Sequence, residues 1–405
     1  MTTNLHRLLS HFLEARFHAC CLTIALLTCQ SLTAQQAGDF GRFTGDFRAR
    51  FESANQEDRD SSEALTFRSR VGFETKDMEG FQFFIEGSDV RALDADDYLG
   101  YPGPGATVIA DPEGTDLNRA TIRFARESFT GILGRQRIKL DGDRFIGNVG
   151  WRQREQTYDA VTLKYQEGAL TGFYGYIDKV KRIFGPEAPT RSLRTFDSQS
   201  HLFNGSYKLS EAFTLGGYAY LLDISNAETN SCNTAGLSLQ GSIPIEDTTK
   251  LSIYLETARQ EGANGNPSHY RADYHHAVLG LNVSGVNVSG GLELLGSDKG
   301  VGFKTPLATL HKFNGWADAF LNTPADGLQD FYFSLGTTVE KVALTAAYHD
   351  FSSRVGGHYL GGELDLQASW KLMERVTCIA KAADLQGRNG IPDSRKFWLE
   401  GNYSF

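Results

Sequence analysis

Residues 134–161, GRQRIKLDGDRFIGNVGWRQREQTYDAV, carry arginine at 135, 137, 144, 152 and 154 and lysine at 139. A guanidinium is planar, stays charged at any relevant pH, and takes a carboxylate, sulfate or phosphate through two parallel hydrogen bonds. Rings of such groups select anions. Arg48, Arg50, Arg68, Arg70, Arg119 and Arg123 extend the set upstream, beside Arg135, Arg137, Lys139, Arg144 and Arg152. The rival role is structural: an arginine–carboxylate ladder using Asp141, Asp143, Glu155 and Asp159 to hold a wall. The two roles are compatible.

Other chemistry is thinner. His311 lies near Asp298 and Asp318, so an acid–base or metal site can be drawn there; the alternative is that His311, Trp316 and Asp318 brace a long loop. His275 and His276 are adjacent, so a strand would send them to opposite faces. No G-x-S-x-G elbow or H-E-x-x-H helix occurs, and Cys232 and Cys378 make neither a disulfide framework nor a zinc site. No cofactor and no enzyme activity are expected, with a barrel-embedded hydrolase as the rival. The basic residues follow strand parity and form no exposed basic surface, so nucleic acid is not an expected partner.

The elements that must position these arginines are strands. Helical periodicity is nearly absent, and apolar and polar residues alternate in short segments. In LTFRSRVGFE (65–74), Leu65, Phe67, Val71 and Phe73 take one face and Thr66, Arg68, Arg70 and Glu74 the other. About eighteen such segments recur, beginning near 43–55, 64–76, 81–91, 117–126 and 129–139 and ending near 361–372, 376–383 and 396–405. Their connections alternate: short at 127–128, 210–212 and 340–341, long at 92–116, 140–158, 179–196 and 296–329. Such asymmetry predicts an all-β fold, a transmembrane up-and-down antiparallel β-barrel of porin size in an outer membrane. At about eighteen strands it keeps an aqueous lumen. The polar parity then faces that lumen, because a cation at the lipid midplane costs roughly 2–4 kcal/mol. A net charge of −9 is compatible with an anion path, since 21 of the 40 Lys and Arg fall between residues 42 and 182.

The ends agree with this placement. Arg7 and Arg16 precede the apolar run 19–27 and a small-residue exit, which predicts a signal peptide over 1–34 and a barrel over 35–405. A lipoprotein cysteine at Cys29 is the weaker alternative. The final KFWLEGNYSF alternates Phe397, Leu399, Gly401, Tyr403 and Phe405, and resembles the signal that outer-membrane assembly machinery reads.

Three stretches resemble the bacterial alginate-export porins: residues 134–161, IDKVKRIFGP (177–186) with DSQSHL (197–202), and LGSDKGVGFKTPLATLHKFNGWADAFLNTPADGLQDFY (295–332). The resemblance implies an eighteen-stranded barrel passing an anionic uronate polysaccharide through an electropositive constriction. Arg68, Arg70, Arg135, Arg137 and Arg152 fit that constriction, with Asp143, Asn148 and Asp159 as partners. The turn 373–375 is minimal where the alginate exporter has a long periplasmic lid, so gating of that kind is not expected. The expected function is passive passage of anionic solutes, an anionic polysaccharide foremost; the alternative is a general anion-preferring diffusion porin. A monomer is expected, with outer-membrane lipid and the assembly machinery as its other partners.

Overall fold

The computed structural model describes residues 40–94 and 98–405. The expected signal segment, 1–34, lies outside the described residues. Among those residues, one eighteen-stranded sheet dominates. It opens with β1 (Gly41–Gln56), β2 (Ser62–Thr75), β3 (Phe81–Asp94), β4 (Gly114–Arg126), β5 (Phe129–Gln136) and β6 (Thr157–Glu167). Each strand pairs antiparallel with its neighbours in sequence, and the last, Ser394–Ser404, returns to β1 in the register Asp46↔Ser404 to Gln56↔Ser394. Closure leaves no sheet edge, as lipid on one face demands. The backbone of Phe405 extends this seam by exchanging hydrogen bonds with Gly45 at 3.0 and 3.1 Å.

The alternation seen in sequence becomes two faces. Leu163, Leu237, Leu279, Phe331, Phe333 and Leu366 stand exposed on the outer surface, a girdle that only hydrocarbon makes favourable. The turns at one end are tight: Ser284-Gly285 joins two strands with both residues at positive φ, 51° and 87°, the twist-matched hairpin geometry that glycine tolerates at no cost. The opposite end carries the long segments, of which 137–156 and 296–327 turn inward.

One expected boundary moves. The strand expected over 129–139 ends at Gln136. Phe129 and Leu133 are 59% and 54% exposed, whereas Gln136 is 4% exposed and donates to the Ala160 carbonyl. Arg135 therefore shares the outer face with Phe129 and Leu133, and Asp159, its register partner, shares that face. Neither faces the lumen. Apolar residues occupy both parities of this strand, Ile132 on one and Leu133 on the other, and that hid the orientation. Arg135 is accommodated because it sits one residue from the strand end, at the rim, where its Nε and Nη2 bind Asp159 at 2.7 and 3.0 Å. Arg137 and Lys139 lie past the strand, on the incoming loop.

The lipid face yields a direct expectation. Leu366→Arg, in mid-strand, should lower the unfolding free energy in vesicles by roughly 2–4 kcal/mol, measured by urea titration, while Ser369→Arg on the wet face should cost little. Equal effects would mean that the two faces do not meet different solvents.

Candidate functional site

The first strands and the last build a basic wall. Arg48 and Arg50 on β1, Arg68 and Arg70 on β2, and Arg119 and Arg123 on β4 share the faces opposite the lipid girdle. A bulge brings Asn118 and Arg119 inward together, because Glu86 pairs with Arg119 while the next residue, Gly87, pairs with Leu117. Most of these cations are matched to carboxylates. Arg50, wholly buried, gives Nε to Glu400 at 2.9 Å and Nη1 to Asp111 at 3.2 Å. Arg119 grips Glu86 through Nε and Nη2 at 2.9 and 2.8 Å. Arg70 lies 3.3 Å from Glu155. Desolvating a guanidinium is costly enough that such matching is required.

The incoming loop 137–156 is held by this wall. Arg48 donates to the carbonyls of Gly150, Trp151 and Arg152, and Arg50 also donates to that of Trp151. Arg70 donates to the Gln153 carbonyl at 3.1 Å. Glu155 is the hub: Arg137 reaches it twice at 2.6 Å, Asn118 at 2.6 Å and Asn148 at 2.7 Å. Arg152 bridges Glu52 at 2.9 Å and Asp318 at 3.2 Å. Asp143 receives Lys139 and Lys312 at 3.5 and 3.4 Å. The loop then crosses the lumen. Phe145 packs on Tyr218 and Tyr274 at ring distances of 5.2 and 5.3 Å, and Arg144 binds Glu293 at 2.6 Å on the far wall.

A second inward segment, 296–327, meets it. Gly147 donates to the Leu307 carbonyl at 2.8 Å, and Asn314 donates to Glu293 at 2.6 Å. His311 stacks on Trp151 at 4.4 Å, its Nδ1 2.7 Å from Asp318 and its Nε2 2.7 Å from Lys381 Nζ. Both ring nitrogens are thus committed to bracing. The sequence marks this segment only as a long connection and gives no sign of Asp111 or Glu400; period-2 patterning has no signal for a loop's path or for carboxylates supplied from distant strands. The opposite wall, also unmarked in sequence, carries Glu256, Glu293, Asp330, Glu363 and Asp365 among tyrosines.

Charge in the loops sets an acid limit. Burial pushes Glu155 up, but Arg70 and Arg137 outweigh it and hold the carboxyl down to about 2, against an ordinary 4.5. Burial, with Lys381 alongside, holds the His311 imidazole down to about 3, against 6.5. Both folded values lie below the unfolded ones, so the unfolded chain takes protons first and stability is lost as the pH drops. The loss should begin below 6.5 through His311 and steepen from 4.5 towards 2 through Glu155. Thermal melts followed by tryptophan fluorescence should show it, and Glu155→Gln should be weaker at pH 7 yet lack the steep part. A wild-type midpoint constant from pH 7 to 3 would contradict the ion-pair account.

With the geometry in place, the comparisons are consistent with it. No curated protein matches in sequence. Among solved structures, Pseudomonas aeruginosa OpdQ aligns with a TM-score of 0.70 at 14% identity, over 91% of this chain and 99% of OpdQ. Acinetobacter baumannii OccAB3 gives 0.72 at 13%, over 91% and 99%, and P. aeruginosa OpdO 0.72 at 15%, over 91% and 97%. At these identities the likeness is one of fold, that of outer-membrane porins. The Alginate export family matches residues 41–294, more than half of the sequence. A closed eighteen-stranded barrel with a lipid girdle and inward loops is an outer-membrane channel, and this chain belongs to the Alginate export family.

Proposed function

We propose that the channel is passive and anion-selective, and that its solute is a uronate-type carboxylate, with an anionic polysaccharide such as alginate the first candidate. The family supports this, and so does the balance of the basic wall. Arg48, Arg50, Arg68, Arg70, Arg119, Arg123, Arg137 and Arg152 oppose Asp46, Glu52, Glu86, Asp111, Glu155, Asp318 and Glu400, eight cations to seven carboxylates. The observation that carries the reading is the remainder. Arg68 is 1% exposed and donates through Nη2 to Asp46, while its Nε and Nη1 have no partner. Arg123 has no ion pair among the described residues. A guanidinium with unused donors is a carboxylate receptor in waiting, and spreading such groups along a path gives weak, repeated sites. In this reading residues 1–34 direct export, the assembly machinery reads the strand ending at Phe405, and the barrel works as a monomer.

A second reading, a porin for small anions only, is favoured by one feature. The inward loops cross the lumen, and the adjoining gaps they leave at the loop end are about 330 and 420 Å³, the size of small-molecule sites. A polymer would need those loops to shift.

Planar bilayers under a KCl gradient separate these readings, with the wild type compared against Arg68→Gln and Arg123→Gln. The reversal potential should be anion-selective and should fall in both variants. Current blocked by polyuronate supports the polymer; current blocked by monomeric uronate alone supports small anions. Cation selectivity in the wild type would overturn both.

A further inference from the structure

Arg182 follows the strand Leu170–Lys181, at the long-loop end of the barrel. Its guanidinium is held in place. It lies over the Phe196 ring at 4.4 Å and the Phe184 ring at 5.5 Å, and its Nη1 donates to the Ser192 carbonyl at 2.9 Å. The backbone is anchored too, with Arg182 N donating to the Arg194 carbonyl at 3.0 Å. What Arg182 lacks is an acid. Its Nε is buried without a partner, and Nη2 makes no hydrogen bond or ion pair among the described residues. Burial alone holds its pKa down, to about 10, with no carboxylate near enough to counter it.

The contrast with its neighbours in this protein is specific. Arg119, Arg135 and Arg137 each present the edge formed by Nε and Nη2 to one carboxylate, that of Glu86, Asp159 and Glu155 respectively. Arg182 holds the same edge ready, in a fixed plane, with nothing on it. Pre-orienting the fork removes part of the ordering cost of binding.

The space beside it is suited to a ligand. Arg182 lines both adjoining cavities at the mouth, of about 330 and 420 Å³, and Pro306, Leu310 and Leu321 line both with it. Ile183 and Phe184 add further apolar wall to the first. A carboxylate on the fork would leave the rest of its molecule against these side chains. Polar side chains also line these cavities, Gln56, Arg59 and Gln156 in the first and Asn230, Asn322 and Thr323 in the second, but the side chains of Ile183, Phe184, Leu310 and Leu321 offer no hydrogen-bond partner, so a ring lying against them is better apolar than hydroxylated.

We propose that Arg182 anchors a binding site at the external mouth for a small monocarboxylate with an apolar ring. The carboxylate takes the Nε and Nη2 edge, and the ring packs against Ile183, Phe184, Leu310 and Leu321. Arg182 itself lies outside the basic wall, although Arg152, Asp318 and Lys396 of the loop network also line the first cavity; the site does not depend on what the lumen conducts, because it is read by binding rather than by current.

The test uses the full chain folded in detergent, with benzoate and galacturonate as probes in isothermal titration. One benzoate should bind per barrel, and galacturonate, of equal charge but hydroxylated, should bind about tenfold more weakly or worse. Arg182→Lys keeps the charge but removes the fork, and should weaken benzoate about tenfold. Leu321→Glu, which sets a carboxylate against the ring, should do the same and stands in if the first variant misfolds; the unheated electrophoretic band reports folding. Absence of benzoate binding, binding unchanged in folded Arg182→Lys or Leu321→Glu, or galacturonate binding as tightly as benzoate would each overturn the proposal.

Discussion

A guanidinium taken out of water must find a carboxylate, and the interior of this barrel is arranged around that requirement. Breaking one buried pair typically costs about 3–5 kcal/mol, because the surviving charge is left desolvated. Arg50 therefore implies Glu400 and Asp111, Arg152 implies Glu52 and Asp318, and Arg70 with Arg137 implies Glu155. The partners come from both ends of the chain and from three loops. Ion pairing is thus what draws those loops into the lumen: Asp111, Glu155 and Asp318 are loop residues answering cations on the wall or on the opposing loop. The constriction follows from neutralising buried charge, and anion selectivity has only the unmatched remainder to work with.

The second constraint acts on the other face. Every backbone donor and acceptor in hydrocarbon needs a partner, so the strands close into a ring. Closure also decides where function can sit. With the outer parity given to Leu, Phe and Val, charge is available only on the inner parity, in the loops, or at a rim such as that of Arg135 and Asp159.

Those two constraints are unequally visible in sequence. Alternation is local, so each of the eighteen strands could be read from a handful of neighbours, and the short–long rhythm of connections located the two ends. The arginines of β1, β2 and β4 were legible for the same reason, since Arg48 or Arg68 differs in parity from Phe47 or Phe67. Arg135 was misplaced because Thr130, Ile132, Gly134 and Gln136 offer no cleaner polar face than Phe129, Gly131 and Leu133 do. The bulge at Asn118 was hidden, as one extra residue changes parity without changing composition. Ion-pair partners were beyond reach altogether: Arg50 and Glu400 are 350 residues apart, and only barrel closure makes them neighbours.

Closure and constriction are in fact one structure. The closing strand supplies Glu400 to Arg50, Lys396 to Asp318, and Trp398 to a cage shared with Trp151 and Trp316. Lys381 Nζ sits over those rings, 3.5 Å from the centre of Trp316 and 4.3 Å from that of Trp151, while donating to His311. Three of the four tryptophans in the chain thus surround one ammonium, each from a different element: the first inward loop, the second, and the last strand. Cation–π attraction strengthens when the cation is desolvated, so the cage is strongest once the strand is zipped and both loops are seated. Seating the inner loops and closing the barrel therefore stabilise one another, because each supplies a ring to the same ammonium.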